Sequence, residues 1–144
     1  MDNVTKMKIA KPTHDVYEAF VDPEKIGNFW FSSSSERWEP GKTITLRYEE
    51  YQAEGTIQVM NVEVDKKIVF TWGPDEDPHT VTILLHELDE SHTIVEVTEE
   101  GFNENDENFI PDLIGNKEGW VYMLTCLKGY MENGIHNLRA GLWK

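Results

Sequence analysis

Large apolar residues recur at helical spacing near the C-terminus: Trp120, Met123, Leu124, Leu127, Met131, Ile135 and Leu138. Steps of three and four residues put them on one side of an α-helix, with Lys117, Thr125, Lys128 and Glu132 off that side. The spacing predicts a long helix from roughly Asn116 to His136, with Gly134 fraying or capping its end. A helix with so continuous an apolar stripe has to bury it, and the rest of the chain offers only strands and short helices to do so.

Those strands are legible as alternation with a period of two. An N-terminal run, Val4 to Ile9, sets Val4, Lys6 and Lys8 opposite Thr5, Met7 and Ile9, the weak polarity of an edge strand. Ile44, Leu46 and Tyr48 alternate with Thr43, Thr45 and Arg47; Ile57 and Val59 alternate with Thr56, Gln58 and Met60. Ile68, Phe70 and Trp72 alternate with Val69 and Thr71, and Val81, Ile83 and Leu85 with Thr80, Thr82, Leu84 and His86. A final strand, Thr93 to Glu99, points Val95 and Val97 one way and Ile94, Glu96 and Thr98 the other. Half-buried strands of an antiparallel sheet read this way. Breakers separate them: Gly73 to Pro78 is a turn, as is Asp89-Glu90-Ser91.

After the first strand, Pro12 ends the extended run and Thr13 is an expected N-cap for a short helix carrying Val16, Ala19 and Phe20. Asp22-Pro23 starts a second short helix, with Ile26, Phe29 and Trp30 on its apolar side. Phe31 to Pro40, with serines at 32 to 35, is expected to be a mobile loop, and the acidic, Asn-rich segment Gly101 to Pro111 a connecting loop. Helices outside a block of antiparallel strands argue an α+β fold, and no repeat divides residues 1–144, so the whole chain is expected to be a single domain.

The charge balance restricts partners. With 13 Lys and Arg against 27 Asp and Glu, the net charge of −14 repels nucleic acid and anionic membranes at long range. No run of about 20 apolar residues is present to span a membrane, and the first residues lack a signal peptide's apolar core. A cytoplasmic protein is expected. The lone Cys126 forms no intrachain disulfide. His14, His79, His86, His92 and His136 make no metal-ligand spacing, and each is expected on the surface or in a turn. Glu49, Glu50, Glu54 and Glu99 lie near strand ends, where a solvated acidic face is expected; one buried there would be a candidate general base. No catalytic residue, metal or cofactor is assigned.

Several stretches, taken in order, carry a resemblance: Val16-Tyr17-Glu18-Ala19-Phe20 leading into Asp22-Pro23-Glu24-Lys25-Ile26 and Trp30, then Glu39-Pro40-Gly41, Glu54-Gly55-Thr56-Ile57 and Ile68-Val69-Phe70-Thr71-Trp72. Thr80-Val81-Thr82-Ile83, Thr93, Glu99-Glu100-Gly101-Phe102 and Gly119-Trp120 with Leu124, Leu127 and Tyr130 complete the series. So arranged, the chain resembles the START-like, or Bet v 1-like (SRPBCC), superfamily, and within it the family related to the activator of Hsp90 ATPase. The resemblance implies a helix-grip fold: a curved antiparallel sheet of about six strands wrapped around the long C-terminal helix, two short helices after the first strand, and a cavity between sheet and helix.

Members of that superfamily bind lipids, sterols, polyketides or plant hormones, and some are enzymes. A small hydrophobic or amphipathic ligand is therefore expected in the cavity. Its candidate lining is Trp30, Phe31, Tyr48, Phe70, Trp72, Ile83, Leu85, Val97, Trp120, Met123, Leu124 and Leu127, with the ligand resting against Trp72, Trp120 and Met123. The alternatives are a chaperone-linked interaction domain, which the Hsp90 connection implies, and a cavity enzyme such as a cyclase or hydrolase. Either a monomer or a homodimer is compatible with the sequence.

Overall fold

The alternating segments form one seven-stranded antiparallel sheet in a computed structural model of the protein, which describes residues 1–143. The chain runs β1 (Asp2–Ile9), α1 (Thr13–Val21), α2 (Pro23–Ile26), β2 (Ser33–Ser34), β3 (Thr43–Tyr48), β4 (Ala53–Glu63), β5 (Lys67–Trp72), β6 (His79–Asp89), β7 (His92–Glu100) and α3 (Phe109–Asn133). In space the order is β1-β7-β6-β5-β4-β3-β2, so β1 is an edge strand, as its weak polarity predicts. The architecture is the α+β helix-grip arrangement: two short helices after β1 and the long helix packed on the sheet.

One face of the sheet is apolar because alternation puts every second residue there. Ile44, Leu46, Ile57, Val59, Ile68, Phe70, Val81, Ile83, Val95 and Val97 are all buried. Across the ladder Ile68 stands opposite Ile83, and Ile83 opposite Val97, so the core continues from strand to strand. A register shift between Val59 and Asn61 makes Met60 an extra residue; Val62, three positions after Val59, then returns to the core side. Helix α1 closes one end of this face with Val16, Ala19 and Phe20, and α3 covers it with Trp120, Met123, Leu124, Cys126 and Leu127.

The structure corrects five expectations. Thr13 is the first residue of α1 rather than its cap; Pro12 holds the N-cap position and no side chain caps the helix. Asp22 does cap α2, accepting the Glu24 amide at 2.9 Å. The segment from Phe31 to Pro40 is tied down. Ser33–Ser34 pair with Arg47 and Leu46, the Trp38 amide bonds to the Val21 carbonyl, and the Trp38 side chain is fully buried. The short β2 brings the strand count to seven. Helix α3 starts at Phe109 rather than near Asn116, because Pro111 sits in its first turn, where no amide is needed. It ends at Asn133, where Gly134 adopts a left-handed conformation (φ 68°) and the amides of Gly134 and Ile135 reach back to Tyr130 and Gly129. Ile135 and Leu138 therefore lie beyond the helix, on an exposed tail.

Candidate functional site

The two halves of α3 meet the sheet differently. From Trp120 onward its inner residues are buried, whereas from Phe109 to Gly119 none is. Under that first half lie two adjoining clefts. A sheet-side cleft of about 590 Å³ is walled by Trp30, Phe31, Tyr48, Trp72 and Trp120, with Gly55 below and Gly115 and Gly119 above. A tail-side cleft of about 520 Å³ is walled by Phe29, Trp30, Tyr122 and Met123 and bounded by Arg139, Leu142 and Trp143 of the tail. Trp30, Tyr48 and Gly119 belong to both.

The walls are aromatic because Trp30 arrives from the turn that follows α2, which ends at Ile26 and so leaves Phe29 and Trp30 outside the helix expected to carry them, Trp72 from the end of β5 and Trp120 from α3 at one level. Trp72 and Trp120 stack with centroids 5.4 Å apart at 27°, and Trp30 tilts against Trp120 at 5.4 Å. Phe31 packs on Tyr48 at 4.5 Å. Rings held by one another in this way present fixed faces to the cleft.

The glycines are informative through what surrounds them. A Cβ added at Gly55, Gly115 or Gly119 would meet nothing within 4 Å, and none of these residues has positive φ. Glycine in a helix is less stable than alanine by about 1 kcal/mol, so neither backbone geometry nor packing accounts for Gly115 and Gly119. Gly129, on the same helix, is different: a Cβ there would stand 2.9 Å from Leu138 Cδ1.

A polar cluster closes the inner end of the sheet-side cleft. Glu99 is buried, 3% exposed, and its Oε1 accepts from Asn116 Nδ2 at 2.9 Å and Trp120 Nε1 at 3.1 Å. Its Oε2 lies 2.6 Å from His79 Nδ1, and Asn3 Nδ2 donates to Asn116 Oδ1 at 2.7 Å. Glu99 is thus not part of a solvated acidic face. His79, whose side chain is 23% exposed and packs edge-on to Phe102, is not a free surface histidine. The signal was available: Glu99 continues the inward phase of Val95 and Val97, and His79 that of Val81, across a register that pairs Val81 with Glu99.

The tail-side cleft has its own polar group. Arg139 makes a bidentate pair with Glu50 (2.7 and 2.9 Å), donates to the Trp30 carbonyl, and lies 5.8 Å from the Tyr48 ring centroid. Hydrogen bonds from Arg139 hold the Glu50 carboxyl below its ordinary pKa. Burial pushes the Tyr48 phenol up to about 12, with Arg139 opposing the rise. Tyr122 donates its hydroxyl to the Leu138 carbonyl. Among the described residues no group of three or more His, Cys, Asp or Glu converges as a metal site.

Of the residues singled out by sequence, Trp30, Phe31, Tyr48, Trp72 and Trp120 line the sheet-side cleft. Met123 lines only the tail-side one. Phe70, Ile83, Leu85, Val97, Leu124 and Leu127 are packed in the core and line neither cleft. Strand phase cannot separate these two groups, since both point to the same face. Glu99, Asn116, Tyr51, Tyr122 and Arg139 are additional lining residues.

Residues 10–132 match the family model described as Activator of Hsp90 ATPase homolog 1-like protein. No curated protein matches the chain. Among solved structures, the protein SSP2350 from Staphylococcus saprophyticus is 55% identical, with 94% of this chain and 95% of that one covered and a TM-score of 0.84. The Aha1 dimer from Colwellia psychrerythraea is 17% identical over 93% of this chain and 98% of its own, with a TM-score of 0.80. DynU16, a protein in the dynemicin biosynthetic locus, is 20% identical over 94% of this chain and 48% of its own, with a TM-score of 0.80. At such identities the last two likenesses are likenesses of fold.

Proposed function

The chain belongs to the activator of Hsp90 ATPase homolog 1-like family, and from that premise we propose that it binds a small hydrophobic or amphipathic molecule in the sheet-side cleft. One observation carries the reading: Gly55, Gly115 and Gly119 border a space walled by aromatic rings, and nothing in the fold requires glycine at those places. Volume is kept there at the expense of helix stability, which is intelligible if something else fills it. A volume of about 590 Å³ falls within the ordinary range for small-molecule sites, and apolar burial at about 25 cal/mol per Å² supplies the driving force.

The test uses a neutral aromatic probe, N-phenyl-1-naphthylamine, with Gly115→Ala and Gly115→Phe, since Gly115 lines the sheet-side cleft and not its neighbour. The wild type and the alanine variant are expected to bind the probe and to gain melting temperature with it. The phenylalanine variant is expected to remain folded and lose binding. Equal binding by all three, or by none, contradicts the reading.

A second reading, docking to a chaperone, draws on the description of the family and on the net charge of −14, which suits a basic partner surface. It requires a complex that weakens steeply as salt is added. A Hsp90 titration showing no binding at low ionic strength removes it.

A further inference from the structure

The chemistry of the sheet-side cleft narrows what it takes. Among the described residues lining it, Glu99 is the one that carries a charge, and neither Lys nor Arg is present. Every other wall is an aromatic ring, an aliphatic side chain, a glycine, or the neutral Thr56 and Asn116. The two oxygens of Glu99 serve different sides. Oε1 is held by Asn116 and Trp120, both cleft residues, while Oε2 turns to His79, which lies outside the cleft. Two N–H donors aim the carboxylate without bringing a permanent positive charge to the cleft side. A buried carboxylate is costly unless charge or hydrogen bonds compensate it, and a ligand cation reaching this wall would add the charge that side lacks.

The rings agree with the carboxylate. Trp72 and Trp120 present stacked indoles beside Glu99, and indole faces are the side-chain surfaces most attractive to cations. The field of a chain with net charge −14 also concentrates cations and depletes anions near the surface. By contrast, the Arg139 guanidinium, in the neighbouring cleft, is already committed to Glu50 on two hydrogen bonds. A carboxylate-bearing amphiphile placed in the sheet-side cleft would set its charge against Glu99 with no Lys or Arg lining the cleft to answer it.

We infer that the ligand of the sheet-side cleft is a planar aromatic molecule bearing a cationic nitrogen, the ring lying on Trp72 and Trp120 and the nitrogen on Glu99. This rests on the binding role proposed above and specifies its chemical class.

The test titrates the protein with three probes of one shape: 2-naphthylmethylamine (cationic), 2-naphthalenemethanol (neutral) and 2-naphthoate (anionic). The cation is expected to bind at least tenfold more tightly than the anion, with the neutral probe between them. Glu99→Gln keeps the acceptor oxygen for Asn116 and Trp120; it is expected to weaken the cation about tenfold and to leave the neutral probe within about twofold. Gly115→Phe, which fills the sheet-side cleft alone, is expected to abolish all three. If the neutral and anionic probes bind as well as the cation and Gly115→Phe blocks them, the charge inference is overturned while the binding role stands. If none of the three binds, both fall. The wild-type ranking decides the matter even if Glu99→Gln fails to fold.

Discussion

The two halves of α3 carry glycines of opposite meaning. Toward its C-terminus Gly129 is small because Leu138 of the returning tail needs the room, and the helix around it buries Cys126 and Leu127. Toward its N-terminus Gly115 and Gly119 are small over empty space, and the nearest inward anchors are Asn116 and Trp120 on Glu99. One half is held by packing, the other by a few hydrogen bonds at the edge of a cleft. The lesson is that residue type does not disclose role; the surroundings of an added Cβ do.

The largest expected effect lies in the packed half. Leu124 is fully buried, and Leu124→Ala should destabilise the protein by about 2–5 kcal/mol in chemical denaturation. Ile114→Ala, in the first half and 62% exposed, should shift it by no more than about 0.5 kcal/mol. Similar losses at both sites would erase the contrast. Next comes the polar anchor: Glu99→Ala strands the Trp120 and Asn116 donors and should cost about 1–3 kcal/mol. A neutral outcome would mean that the first half of α3 is held by something else.

Gly119→Ala should stabilise the protein by about 0.5–1 kcal/mol, since it adds helix propensity and meets no neighbour. A loss of stability would show the space to be smaller than described. The remaining effect concerns the tail. Arg139 depresses the Glu50 pKa, so the pair's contribution is full above the ordinary glutamate range and disappears as pH falls through the lowered value. The pair is partly exposed, so the step should be at most about 1 kcal/mol. It should be missing in Glu50→Gln, as melting temperature against pH would reveal.

The sheet was legible in the sequence because burial on one face imposes a period of two that no loop imitates; Ile44 to Trp72 and Val81 to Val97 read directly as strands. The start of α3 was not, because its first turns are exposed and carry no apolar stripe, and Pro111 reads as a breaker until its place in the first turn is known. Trp38 was lost for the opposite reason: a single buried ring in a polar segment has no period at all. The candidate site was half legible. Strand phase found Trp72 and Tyr48 but equally Phe70 and Ile83, since lining a space and filling it are the same pattern until the facing helix stands off. Glu99 could be read as inward, but only its register with Val81 and its reach to Trp120 reveal what it does.

The central claim is that the first half of α3 roofs a space open to a ligand while Trp38 sits in closed core. The five tryptophans carry their own reporters, the indole N–H signals of a ¹H–¹⁵N spectrum. Titration with N-phenyl-1-naphthylamine should move the Trp30, Trp72 and Trp120 signals and leave that of Trp38, bonded to Ser34, in place. Shifts confined to Trp143, or no shift at saturating probe, would contradict the account.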